Sequence, residues 1–554
     1  MRTMVRVVGV LLTASLAGLP SGGVLAAQEP SPSAAPARQI GLDDAVRLAL
    51  EHNINLQVER IKPQIQDEQV ALAAASFTPT WTWENSYNGT NSPPDSFLSG
   101  SEGGGALETG VFRTNVGIRQ QVPRGGLTYA VGWDASRATT NSLFSNFNPR
   151  LNSSLSLSVV QPLWRNRTTD ALRTQLRVSS RNLEMSQDAL RGIVADTVRA
   201  VKSAYWDLKY AIANLDVQRQ NLELARQTLL DNRSRVQIGT MAPIDIVEAE
   251  AEVARNEEGV IVAGAAVTEA EDQLRTLLLD PGSPGFWDVR LDPTDSPRMD
   301  PVAIDMDKAI EAARVSRADR QRAERGLANV ADNLRLYRDQ SQPEVNLQVD
   351  YALAGLGGRQ FLRGSGFPGP VEGTVGRSLG SVLADILTVD FPAWTVGVTV
   401  SYPIGRSSAD VNLARTGLEQ RQAQLQLEQI DLQIATQVRT IGRKVGTNIK
   451  RIDATRAARL LAERRLDAEQ RKFGVGTSTS FLVFQAQREL AAARVNELKA
   501  LLDYNKSLAD FEAVQETPVS GGSVAITVSS ATAAGQGGTV TTAGSQGTGD
   551  GRPR

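Results

Sequence analysis

The sequence predicts an α+β membrane protein, internally duplicated, in which very long helices alternate with short strands. Three observations carry this. Motifs recur in order in the two halves, two long stretches lack proline and hold apolar residues at helical spacing, and segments of period two sit where each half leaves helix.

The duplication is read from paired motifs. Leu42-Asp43-Asp44-Ala45-Val46 is matched by Met306-Asp307-Lys308-Ala309-Ile310, and Pro79 and Pro343 follow at equal distance. Gln161-Pro162-Leu163 then matches Tyr402-Pro403-Ile404, Ile238-Gly239-Thr240 matches Val475-Gly476-Thr477, and Ala249 matches Ala486. Each half runs helix, strands, very long helix, turn, returning helix. The first repeat spans 41–280 and the second 302–515. Residues 28–40 form an N-terminal linker. The interhalf linker 281–301 is rich in Pro, Gly and Asp and reads as loop. The Gly/Ser/Thr-rich segment 516–554 has little to bury and reads as a disordered tail.

No proline occurs between Pro162 and Pro243 or between Pro403 and Pro518. In the first stretch apolar residues recur at steps of 3, 4 or 7, among them Leu183, Leu190, Val194, Val198, Val201, Tyr205, Leu208 and Ile212. A continuous helix from about 169 to 237 would run roughly 100 Å at 1.5 Å per residue. The second copy, about 409–473, has a weaker seam with many Gln and Arg residues, which implies a wetter face. Gly239 and Gly476 suit the left-handed conformation that ends a helix. Pro243 suits the first turn of one returning helix, and Ser480 or Thr479 can cap the other.

Alternation appears in Leu155–Val159, with apolar residues opposite serines, in 395–402, and in 345–353. Trp81 and Trp83 share a face opposite Thr80, Thr82 and Glu84. With their flanks these segments approach about 10 residues, the length of a tilted membrane strand. Of 7 tryptophans, Trp81, Trp83, Trp133, Trp164 and Trp394 fall in or beside strands, where an interfacial girdle would place them. A chain with four to six such strands falls short of the about eight that a single-chain barrel needs, so further copies must complete a barrel.

Residues 1–27 read as a signal peptide: Arg2 and Arg6 precede an apolar run, and Ala26-Ala27 offers a cleavage site before Gln28. Cysteine is absent, so thiol chemistry, disulfides and an N-terminal lipid on cysteine are excluded. The single histidine, His52, reads as a surface or bend residue near the end of the first short helix. No P-loop, nucleophile elbow or metal-spaced cluster appears, so neither an enzyme nor a cofactor is expected. The formal net charge of -2 lacks the basic footprint of nucleic-acid binding.

Over about residues 40–515 the sequence resembles the TolC-type outer-membrane efflux family, also called outer membrane factors. The resemblance rests on the Leu42-Asp43-Asp44-Ala45-Val46 opening, on Gln161-Pro162-Leu163-Trp164-Arg165, and most of all on Ile238-Gly239-Thr240-Met241-Ala242-Pro243-Ile244-Asp245-Ile246 and Phe473-Gly474-Val475-Gly476-Thr477. It implies a homotrimer in the outer membrane. Each protomer would give four strands to a 12-stranded β-barrel continuous with a long α-helical periplasmic barrel. It also implies a passive exit duct for efflux or type I secretion, docked through Gly239, Thr240, Gly476 and Thr477 to a periplasmic adaptor and coupled to an inner-membrane transporter of RND or ABC type. The family's acidic entrance position falls on Asp245, with Glu248 one turn on. These would either form a cation-favouring constriction or, for Asp245, only complement a helix N-terminus. The second repeat has Leu482 and Gln485 at the corresponding positions, so the entrance is expected to carry at most one acidic tier, not two.

Two segments depart from the family pattern. Val111–Val122 and Gly126–Ala135 alternate around Pro123-Arg124-Gly125-Gly126, an extra hairpin (111–136) that suits an extracellular cap, a flap or added barrel strands. A second insertion runs from Gly355 to Asp390, and its Gly-rich part reads as loop. The competing function is a trimeric coiled-coil envelope spacer without an open pore. It accounts for the rods and gives no reason for polar-faced strands of membrane length.

Overall fold

The computed structural model describes residues 38–93, 105–300, 302–366 and 369–516. The expected signal peptide, and the expected tail beyond residue 516, lie outside the described residues. The first half runs β1 (Arg38–Ile40), α1 (Leu42–His52), α2 (Ile54–Ala75), β2 (Thr80–Ser92), β3 (Leu107–Gln121), β4 (Thr128–Thr140), β5 (Phe147–Pro162), α3 (Ala171–Gln237) and α4 (Ile244–Leu278). After the linker strand β6 (Leu291–Pro293) come α5 (Met306–Ser316), α6 (Ala318–Gln340), β7 (Glu344–Arg363), β8 (Val371–Arg377), α7 (Leu379–Leu387), β9 (Pro392–Ser401), α8 (Ser408–Gly474) and α9 (Ser480–Gln515).

The rods α3 and α8 have 67 residues each, hence about 100 Å apiece. Both begin at side-chain caps. Asp170 accepts from the Arg173 amide, and Ser407 with Asp410 forms a reciprocal capping box. Both end at a left-handed glycine, Gly239 at φ 75° and Gly476 at φ 76°. Thr240 N–H then donates to Arg235 O at 2.9 Å and Thr477 N–H to Lys472 O at 2.9 Å, the wrap-around bond that closes a helix C-terminus.

The large sheet is antiparallel, in the order β2-β3-β4-β5-β7-β8, with β9 also paired to β7. The resemblance implies four strands per chain; six lie side by side here, because the extra hairpin is part of the ladder. Its β3 pairs with β2 from Thr80 opposite Arg119 to Ser92 opposite Leu107, and β4 pairs with β5 from Thr128 opposite Val160 to Ala138 opposite Arg150. The Gly-rich start of the second insertion is strand rather than loop. Residues 355–363 continue β7, held by β5 on one side and by β8 on the other. Glycine is required there: a Cβ on Gly355 or Gly357 would run into Val382 of α7, which lies across these positions.

The interhalf linker is likewise not all loop. Its β6 pairs in parallel with β1, and Tyr205 ties the pair down, its hydroxyl lying 3.1 Å from Ile40 O and 2.8 Å from the Asp295 carboxylate and accepting from the Asp295 amide at 3.0 Å. Tyr205 is fully buried in the largest apolar cluster, with Val201, Leu208, Leu274 and Leu278, midway along the rods.

Toward the sheet, helices pack in the order α2-α3-α6-α8; toward the rod tips the order is α4-α3-α9-α8. The chain therefore has two lateral sides. One carries β2, α2 and α4, the other β9 and α8.

Candidate conduit surfaces and helix tips

Residues paired across strands share a face of the sheet, so register assigns each side chain. One row reads Trp81, Ile118, Val131, Leu157, Tyr351, Trp394 across six strands; the next reads Trp83, Val116, Trp133, Leu155, Leu353, Pro392. This face is apolar throughout its middle. The intervening rows are wet or small: Glu84, Asn115, Asp134, Ser154, Ala354, and Thr82, Gly117, Gly132, Ser156, Ala352. Ser158 donates to Asp350 at 2.6 Å on this second face. One face suits hydrocarbon and the other suits water. Trp81, Trp83, Trp133 and Trp394 all stand on the apolar face, and Trp164 is exposed just beyond the end of β5 at the switch to helix.

At the far end of the rods the two hairpin tips repeat one geometry. Thr240 Oγ1 donates to Arg235 O at 3.0 Å, and Thr477 Oγ1 to Lys472 O at 3.1 Å. Gly239 and Gly476 are exposed, with open space where a Cβ would stand. The tips are joined within one chain. Asp245, on the first turn of α4, accepts from the buried Ser480 hydroxyl at 2.6 Å. Deeper, buried Glu252 pairs with Arg488 (2.8 Å) and Arg255 (2.7 Å). Arg235 lies 4.8 Å above the Phe473 ring, a cation–π contact. Glu248 is exposed and does not share the Asp245 bond.

This alters one expectation. Thr479 occupies the cap position of α9 with no side-chain cap bond, and the Ser480 hydroxyl turns to Asp245 instead of the backbone. The pairs Asp245–Ser480 and Glu252–Arg488 join residues more than 200 positions apart, and no local pattern signals them.

The lateral sides carry exposed apolar stripes. On α2 these are Ile54, Val58, Ile61 and Ile65; on α8, Val411, Leu418, Leu425 and Leu432 recur every seventh residue. Leu418 is 72% exposed. His52 is partly exposed, 3.9 Å from Glu51. Among the described residues, no group of three or more acidic or histidine side chains is placed to hold a metal ion, and no helix is long and apolar enough to cross a membrane.

The comparisons agree with this architecture. Residues 113–278 match the family model described as outer membrane efflux protein. No curated protein matches the sequence. Among solved structures, CusC is similar at 16% identity and TM-score 0.61, over 86% of this chain and 91% of its own. The CmeC outer membrane channel of Campylobacter jejuni matches at 13% identity and TM-score 0.61, over 86% of this chain and 85% of its own. The open state of the MtrE outer membrane channel of Neisseria gonorrhoeae matches at 15% identity and TM-score 0.56, over 86% and 88%. The fold is thus that of outer-membrane channels. Within that fold, residues 113–278 resemble the outer membrane efflux protein family.

Proposed function

We propose that this protein is the outer-membrane exit duct of a tripartite efflux or type I secretion system. The observation that carries the reading is the two-faced sheet, apolar on one side and wet on the other, joined directly to rods about 100 Å long. A spacer has no use for a wet sheet face. In this reading the chain is a homotrimer, the sheets form a barrel in the outer membrane, and the rods form a tunnel in the periplasm. Trp81, Trp83, Trp133, Trp164 and Trp394 contribute to the aromatic belts that meet the lipid headgroups.

The tips meet a periplasmic adaptor through Gly239, Thr240, Gly476 and Thr477, where small, open and duplicated surfaces leave room for a partner's helices. Asp245 and Glu248 form the entrance constriction, and the inner-membrane transporter, RND or ABC, supplies the energy. The duct passes solute by diffusion. The test is reconstitution in planar bilayers: the trimer should conduct ions, more so with its adaptor present. A trimer that conducts under no pH or adaptor condition would favour the spacer.

A further inference from the structure

We infer that three copies of this chain close a barrel of eighteen strands, six from each, with the inserted hairpin β3-β4 as part of the membrane wall. The inference rests on the duct reading and on its trimer.

First, β3 and β4 are not appended to the sheet but inserted in it, fully paired on both sides between β2 and β5. Second, they keep the division of faces. Val116 and Val131 continue the apolar face between Trp81 or Trp83 and the leucines of β5, while Asn115 and Asp134 continue the wet one. Arg113 and Asp134 approach to 4.0 Å on that wet face. A cap or flap in water has no cause to keep a hydrocarbon face in phase with its neighbours. Third, the turn of the hairpin sits at the helix end of the sheet. Gln161, near the last residue of β5, donates to Gly125 O at 3.0 Å, and Gly126, at φ 72°, lies against Asn166. The hairpin therefore spans the height of the sheet.

Near the helices the open edges of the sheet are β2 and β9; farther out, β8 takes the place of β9 beside β7. Unpaired backbone N–H and C=O groups are not tolerated in hydrocarbon, so these edges must find partners. The occupant is a second copy of this chain. Six strands in strict alternation leave β2 and β9 antiparallel, so β9 of one copy meets β2 of the next in the pairing the rest of the sheet uses. The same two sides carry the apolar stripes of α2 and α8, so one seam runs from barrel into rods. Barrel diameter grows about linearly with strand number, which makes this outer wall roughly half again as wide as one with four strands per copy. The wet face carries both signs of charge, with Glu84, Asp134 and Asp350 against Arg113, Arg119 and Arg150, so it sorts cargo by neither size nor charge. Selection is left to the tips.

The chain has no cysteine, so single-cysteine variants of the full protein report one position each. Trimers carrying Asn115→Cys, Asp134→Cys, Val116→Cys or Val131→Cys are placed in liposomes and treated with a membrane-impermeant maleimide. Modification at 115 and 134 is expected to be at least ten-fold faster than at 116 and 131, and a bulky adduct at 115 should lower single-channel conductance. Similar rates at 115 and 116 would put the hairpin outside the wall and overturn the inference, while a conducting unmodified trimer would leave the duct reading standing. An unmodified trimer that never conducts sinks the duct reading itself. Electron microscopy of the unmodified trimer in nanodiscs gives a check free of variants: eighteen strands are expected, and twelve would overturn it.

Discussion

The buried Ser480 hydroxyl donates to the Asp245 carboxylate at 2.6 Å, tying the first turn of α4 to the first turn of α9. The two hairpin tips of one chain thus cannot part without breaking a bond to a charged acceptor. For a half-buried pair such a bond contributes about 1 kcal/mol, roughly a five-fold bias between joined and parted tips. Ser480→Ala is expected to raise single-channel conductance about that much and to leave ion preference alone. Asp245→Ala should raise conductance and also reduce cation preference. Conductance unchanged in both variants would refute the tether; cation preference unchanged in Asp245→Ala would refute the acidic constriction.

The lateral stripe on α8 makes a separate prediction. Leu425 is 58% exposed in the single chain, so Leu425→Asp should leave the fold of one protomer intact. In the proposed trimer it would bury a charge against the neighbouring α2, at a cost of several kcal/mol. Native electrophoresis should show loss of trimers with unchanged helix content by circular dichroism. Trimers surviving at wild-type levels would move the seam elsewhere.

Near the sheet, Asp332 is 3% exposed and joins α6 to Arg177 and Arg181 of α3. Arg335 also reaches it, at 3.5 Å, but its own side chain is 76% exposed. Asp332→Ala should cost about 1–3 kcal/mol by leaving Arg177 and Arg181 without their carboxylate partner. Arg335→Ala should cost less than about 1 kcal/mol, as exposed pairs do. Thermal unfolding midpoints of the two variants compare these directly, and equal shifts would contradict the ranking.

Acid should loosen the second tip. Glu469 is held below the ordinary glutamate range by Lys472, whose ammonium donates to it, and next by the Ser478 hydroxyl. A depressed acid stabilises the fold above its unfolded pKa and loses that contribution as pH falls through the folded value. The window therefore opens at the ordinary carboxylate range, about 4.3, and extends below it. Amide exchange over 472–479, corrected for intrinsic rates, should rise in that window for the wild type and be raised already at neutral pH in Glu469→Gln. A flat profile in the wild type would remove the clasp.

Much of this was legible in the sequence, and the limits have physical causes. The rods follow from absent proline and apolar steps of three, four and seven, and Gly239 and Gly476 marked their ends because few other residues accept positive φ. The extra hairpin announced itself by alternation around Pro123-Arg124-Gly125-Gly126, but its place did not. A strand's neighbours are chosen by pairing with distant segments, as in Gln161 with Gly125 and Ser158 with Asp350. β6 is three residues long and ends in proline, too short to carry a period. Gly355 and Gly357 lowered the apparent strand tendency of β7, yet they are glycine because α7 crosses there. At the tips Asp245 could be singled out by position, whereas Ser480 read as a cap because its partner lies in the other repeat.

The turn at 123–126 brings the chain back to the end of the sheet from which the hairpin left. An insertion of this kind changes the girth of a wall without changing where the chain enters or leaves it, so the rods below need no adjustment. Girth in such an architecture is quantised. Each hairpin gained adds two staves per copy and six per ring, and an odd number would leave the last stave running the wrong way to join the first.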